Sequence, residues 1–208
     1  MIDNKILALK YRPQDFGSLI GQEIMAKTIS NAIKIGKTPN AYLLTGIRGV
    51  GKTTTARLIA KALNCEKNTD KKNKCNPSNY CSTCQQIINT NHIDVLEMDA
   101  ASKTGIDDIR ELIENSKYSP TSAQYKIFII DEVHMLSKQA FNGLLKTLEE
   151  PPASLKFILA TTEIRKIPVT ILSRCQRFDL KRVSIQDIVH HLKKISEKEN
   201  GKVSEEAF

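Results

Sequence analysis

The sequence predicts an α/β fold, a parallel sheet sandwiched by helices. Three observations carry that reading. Short β-rich runs alternate with helical stretches, the runs are apolar enough to be covered on both faces, and a glycine-rich turn follows the first of them.

In chain order, Ala41–Thr45 is a short apolar strand. The helix after it carries Ala56, Ile59, Ala60 and Leu63 at i, i+3, i+4 and i+7, one face at 3.6 residues per turn. Residues 66–79 are polar, rich in lysine and asparagine and without periodicity, so they read as an inserted loop. Residues 93–98 read as a strand and 106–118 as a helix beginning after Gly105. Residues 126–130 form a continuous β-rich run, as a strand buried on both faces requires. The next helix takes Ser137 as its N-cap and aligns Phe141, Leu144, Leu145 and Leu148. Pro151 and Pro152 stop it, since proline lacks the N–H and clashes with the preceding turn. Leu155–Thr161 is another buried strand.

After Leu180 the character changes. Ser184 with Asp187 resembles a capping box, and Ile185, Ile188, Val189, Leu192 and Ile195 form a stripe. The expectation is a main domain over residues 1–180 and the beginning of a second, helical domain over 181–208, truncated as another helix starts.

The 208 residues are 40% hydrophobic and 26% charged, an ordinary composition for a globular protein. No apolar run approaches the ~18 residues of a membrane span, and the first residues lack the apolar centre of a secretory signal. The expectation is a cytoplasmic protein without a membrane partner. A net charge of +8 admits a polyanionic partner, but 23 of the 31 basic residues are scattered lysines, so a solvated surface is the simpler account.

The chemistry begins at "GIRGVGKTT". Gly46, Gly51, Lys52 and Thr53 match G-x-x-x-x-G-K-[ST], with Arg48, Gly49, Val50 and Thr54 completing the loop. Glycines let such a loop turn its N–H groups inward around phosphate oxygens. Lys52 would reach the β- and γ-phosphates, the Thr53 hydroxyl would hold Mg²⁺, and the following helix points its positive dipole end at the anion. A plain glycine-rich turn is the competing reading; the position between a strand and an amphipathic helix argues against it. "KIFIIDEVH" then supplies Asp131 and Glu132 directly after a buried strand, at the sheet edge where ligands bind in such folds. Asp131 would support Mg²⁺ and Glu132 would polarise the attacking water. His134 reads as structural rather than catalytic. Thr161 and Thr162 end the next strand in the same way, and a hydroxyl there could sense the γ-phosphate or orient the water.

Four of the five cysteines, Cys65, Cys75, Cys81 and Cys84, fall within twenty residues. Two disulfides do not suit a reducing compartment, whereas clustered thiolates with a C-x₂-C half suit a structural Zn²⁺ site. Four thiolates leave no open position for water, so such a zinc would not be catalytic. Cys175 stands apart.

Taken together, "KYRPQDFGSLIGQE", "GIRGVGKTTTARLIAKALNC", "DAASKTGIDDIRE", "IIDEVHMLSKQAFNGLLKTLEEPP" and "FILATTEIRKIPVTILSRCQRF" resemble the N-terminal part of the bacterial DNA polymerase III gamma/tau subunits, clamp-loader ATPases of the AAA+ class. The resemblance implies a P-loop fold with a five-stranded parallel sheet, a zinc-binding insert at about residues 65–84 and a helical lid. It implies an ATP hydrolase with ATP, Mg²⁺ and Zn²⁺ as its cofactors. Its implied partners are the delta and delta-prime subunits, further gamma/tau copies, the sliding clamp, primed DNA and the polymerase core. Such a subunit opens the clamp and loads it during replication without itself polymerising.

The resemblance also puts Tyr11, Arg12 and Pro13 near the adenine base, gives zinc to the four cysteines, and has Arg174 of "SRC" reach, in trans, the ATP of a neighbouring subunit. Archaeal and eukaryotic small subunits of clamp loaders lack the insert, and delta-prime subunits keep it with a degraded phosphate loop. Two departures stand out. "CNPSNYC" lengthens the usual C-x₂-C gap by three residues, which bears on Cys75, and the family's lid arginine falls beyond Phe208. A branch-migrating AAA+ helicase and a non-hydrolysing loader scaffold are the alternatives.

Overall fold

The computed structural model describes residues 6–67, 75, 79–102, 105–201, 203, 204 and 207. In chain order the elements are α1 (Leu7–Lys10), α2 (Glu23–Lys34), β1 (Ala41–Thr45), α3 (Lys52–Asn64), α4 (Ser82–Ile88), β2 (Val95–Asp99) and α5 (Ile106–Ser116). They continue as β3 (Lys126–Asp131), α6 (Lys138–Glu149), β4 (Leu155–Thr161), α7 (Val169–Leu172), β5 (Gln176–Asp179) and α8 (Ile185–Lys198).

The five strands form one sheet in the order β2-β3-β4-β1-β5, and every pairing is parallel. Side chains alternate across it, so the two faces of each central strand feed two separate cores. Leu43, Phe128, Ile130, Phe157 and Leu159 pack on Ile109, Phe141 and Leu144 from α5 and α6. Tyr42, Leu44, Ile127, Ile129 and Ile158 pack on Ile29, Ala56, Ile59, Ala60 and Leu63 from α2 and α3. The four α3 positions predicted to form one face are at most 2% exposed.

In α6 the expected cap is present: the Ser137 hydroxyl accepts the Ala140 N–H at 3.2 Å. Phe141, Leu144 and Leu148 are buried, while Leu145 is partly covered. The second strand starts at Val95 rather than Ile93, which is 65% exposed. It is an edge strand, so one flank supplies no apolar partner to mark its beginning. Helix α5 ends at Ser116, two residues before the expected boundary.

At Ser184 the cap differs from a capping box. Its hydroxyl accepts the Asp187 N–H at 3.1 Å and donates to the Asp187 carboxylate at 2.6 Å, so the carboxylate engages the hydroxyl rather than the backbone. The predicted α8 stripe is open: Ile185, Ile188 and Leu192 are all exposed. The C-cap residue of α8, Glu199, is tied to the start of the chain. It accepts the Tyr11 hydroxyl at 2.5 Å and pairs with Lys10 at 2.6 Å. Among the described residues no helix is long and apolar enough to cross a membrane.

Candidate nucleotide site and cysteine cluster

Parallel strands all present their C-terminal ends at one edge, and the loops leaving that edge meet there. β1 delivers the glycine-rich turn to it. Gly51 caps α3 with φ 97, a left-handed conformation that any side chain would strain. Gly46 is needed for space: a Cβ there would meet the Leu180 carbonyl oxygen and Val50 Cγ1 at 3.0 Å. Val50 turns inward against the core. Lys52 is 6% exposed, and its Nζ donates to the Gly46 and Ile47 carbonyls at 3.1 Å, which holds the ammonium inside the loop.

A cleft of about 380 Å³ opens over this turn. Arg48, Gly49, Gly51, Lys52, Thr53 and Thr54 form one wall, with Arg12 beside them; Asp99, Asp131 and Glu132 form the other. The Thr53 hydroxyl donates to one Asp131 carboxylate oxygen, and the other oxygen accepts the Glu132 N–H at 2.9 Å. This brings two hard oxygen donors together at the start of α3, a pair of the kind Mg²⁺ prefers. Glu132 has a left-handed backbone (φ 46). One of its carboxylate oxygens, Oε2, accepts both the Thr162 hydroxyl at 2.9 Å and the Thr162 N–H at 3.3 Å. Lys52, Thr53, Asp131, Glu132 and Thr162 are therefore gathered at one place from three segments of the chain.

The N-terminal trio divides. Arg12 Nε donates to the Thr54 hydroxyl at 2.9 Å, alongside the loop. Tyr11 turns to Glu199, and Pro13 lines a second cavity of about 280 Å³ between α3 and α4. Arg174 is not in the cleft. Its Nη2 lies 2.5 Å from Glu149 Oε1 at the end of α6, and its Nη1 donates to the Thr170 carbonyl at 2.6 Å. Asp99 was not singled out from the sequence. It ends β2 in register with Asp131, and a carboxylate at a parallel-strand end was the signal available.

The four clustered cysteines do meet. Their sulfurs all lie within 4.8 Å of one another, Cys81 and Cys84 buried and Cys65 and Cys75 half-buried. Around a tetrahedral zinc, thiolate sulfurs stand ~3.8 Å apart given Zn–S bonds of about 2.3 Å, so a small contraction fits the set to the ion. The lengthened gap does not remove Cys75, whose sulfur accepts the Cys81 N–H at 3.3 Å. Burial pushes the Cys65 and Cys84 thiols up. At Cys81 burial acts the same way, but bonds from the Cys84 N–H and the neighbouring sulfurs outweigh it and the thiol is lowered. The cluster can hold zinc. The loop between Cys65 and Cys75 lies largely outside the described residues.

The model of the family "DNA polymerase III, delta subunit" matches residues 21–184. The chain is 51% identical over 204 residues to DNA polymerase III subunit gamma of Buchnera aphidicola subsp. Schizaphis graminum, covering 98% of this chain and 55% of that one. It is 51% identical to subunit tau of Bacillus subtilis (94% of this chain, 34% of the relative) and 46% identical to subunit tau of Escherichia coli (94% and 30%). It thus spans about half or less of these relatives' length. Among solved structures it is similar to a Thermotoga maritima gamma subunit-related protein, with a TM-score of 0.58 and 25% identity over 83% of this chain and 51% of that one. It also resembles the Thermotoga maritima RuvB Holliday junction branch migration motor (TM-score 0.65, 20% identity, 93% and 56%), a likeness of fold.

Proposed function

Because the chain belongs to the DNA polymerase III delta-subunit family, and is homologous over nearly its whole length to the gamma and tau subunits, we propose that it is the ATPase module of a clamp-loader subunit. One observation carries the reading. The Thr53 hydroxyl and the Asp131 carboxylate meet at the foot of a loop that encloses the Lys52 ammonium, with Glu132 on the same cleft.

In this reading Lys52 and the loop N–H groups take the β- and γ-phosphates, and Thr53 and Asp131 hold Mg²⁺, which would neutralise charge developing between those phosphates. Glu132 accepts a proton from the attacking water, and Thr162 fixes the carboxylate's direction. Intact Lys52, Thr53, Asp131 and Glu132 weigh against a non-hydrolysing scaffold. The fold is equally that of the branch-migration motor, but the four-cysteine cluster and the sequence identity favour the loader. A zinc held by the cysteines would be structural.

Arg174 completes the proposal. It stands outside its own cleft with its guanidinium held at the surface by Glu149 and Thr170, which suits service to the site of an adjacent subunit. Guanidinium stabilisation of a transferring phosphoryl group is worth roughly 10³–10⁵ in rate. Full-length Lys52→Ala and Arg174→Ala proteins, assayed alone and mixed with the other loader subunits, the sliding clamp and primed DNA, test both sites. Restored ATP turnover in mixed assemblies is the expected result. No recovery despite verified mixed assembly would mean that Arg174 acts within its own chain and that the in-trans role is wrong.

A further inference from the structure

His134 is the buried group that this mechanism leaves unused. Its side chain is 6% exposed, which fits a structural residue, but its partners belong to the reacting edge of the sheet. Nδ1 lies 3.0 Å from the Thr161 hydroxyl oxygen and 3.4 Å from Glu132 Oε2. Nε2 faces Glu163 Oε1 at 3.5 Å, and the Thr161 hydroxyl oxygen also accepts the Glu163 N–H at 3.0 Å. The imidazole therefore stands between the turn that leaves β3 and the turn that leaves β4.

Those two turns carry Glu132 and Thr162. Both Thr162 donors address Oε2, the oxygen His134 also faces, while Oε1 has no partner among the described residues. With φ 46 the Glu132 backbone lies in neither helix nor strand geometry. Its carboxylate is aimed by what it touches rather than by the pattern of an element.

Resting on the reading of Glu132 as the proton acceptor for water, we infer that His134 is a positioning residue for that carboxylate. It braces residues 161–163 against Glu132, so that Oε2 stays on Thr162 and Oε1 is left for the water. Reaction geometry tolerates little error: a displacement of about 1 Å can cost 10²-fold.

The test separates position from packing. Leucine fills much of the imidazole's space without a polar δ atom; asparagine puts a polar δ atom where Nδ1 stands. Nucleotide affinity and single-turnover ATP hydrolysis are measured separately, in the full-length protein assembled with its loader partners. His134→Leu should slow hydrolysis by about 10- to 100-fold with affinity changed by less than about twofold. His134→Asn should recover most of the rate. In a Glu132→Gln background, His134→Leu should cost nothing further, because the group it positions is gone.

Wild-type hydrolysis in His134→Leu, or the same proportional loss with and without Glu132, overturns the inference. Wild-type hydrolysis by Glu132→Gln itself overturns the reading of Glu132 on which it rests. If His134→Leu does not fold, Thr161→Val removes the hydroxyl that Nδ1 faces and leaves the ring alone. It must slow the same step, and cost nothing further in the Glu132→Gln background, for the inference to survive.

Discussion

Asp94 illustrates how much a single side chain can organise away from the cleft. It is 1% exposed, and its carboxylate accepts the N–H groups of Thr121, Ser122 and Ala123 at 2.7–3.0 Å. Burial by itself raises its pKa, but those three donors outweigh it and the carboxyl is held below its ordinary value. A carboxyl lowered in the folded state contributes its full stability above the unfolded value of about 3.9 and loses it as pH falls through the lower folded value. Asp94→Asn should therefore cost about 1–3 kcal/mol at neutral pH, and the gap to the parent should narrow below about pH 4. Urea denaturation across that range checks it; a gap independent of pH would mean that the charge is immaterial. At this scale the sequence was legible where chemistry sits in one motif, as with Lys52 and Thr53. It was not legible where partners are far apart in the chain, as with Glu132 and Thr162 or Arg174 and Glu149. No periodicity marks a contact between two loops.

Strands were legible in proportion to how completely they are buried. β1 and β4 are covered along their whole length, so their apolar runs announce their bounds. β5 reads Gln-Arg-Phe-Asp and lies at the sheet's edge, largely exposed; only the family resemblance implied a fifth strand. Likewise the α8 stripe identified a helix correctly without saying what, if anything, covers it. The cysteine cluster belongs to this scale, since α4 and the end of α3 are joined through it. The purified protein should carry one zinc per chain. Cys84→Ser should lose the metal and lower the melting temperature, because a buried thiolate ligand is replaced by a weak hydroxyl. Metal analysis beside thermal melting checks this, and a full zinc complement in that variant would remove Cys84 from the ligand set.

For the whole molecule, the parallel sheet sets which chemistry is available to one chain. It gathers Lys52, Thr53, Asp131, Glu132 and Thr162 on one edge and leaves Arg174 on another surface. The 208-residue chain by itself should therefore bind ATP with Mg²⁺ yet turn it over roughly 10³–10⁵-fold more slowly than the assembled loader. Calorimetry with phosphate-release kinetics over a range of concentrations tests this. Rapid turnover by a monomer, unchanged on dilution, would sink the shared-site account. The same class of fold serves the branch-migration motor, so the architecture alone could not have distinguished the two.

The strand order also has a bearing on synthesis. β1, which delivers the phosphate loop, is hydrogen-bonded only to β4 and β5, and β4 begins some 110 residues after β1 ends. At ribosomal speeds of about 5–20 residues per second, roughly 6–22 s pass before β1 has a neighbour to pair with. During that interval Leu43 and Leu44 lie in a nascent chain without the sheet that will enclose them. The binding loop is thus among the last parts of the sheet to acquire its shape, and the nascent chain passes through a period in which chaperones can reach a strand that the finished fold buries along its whole length.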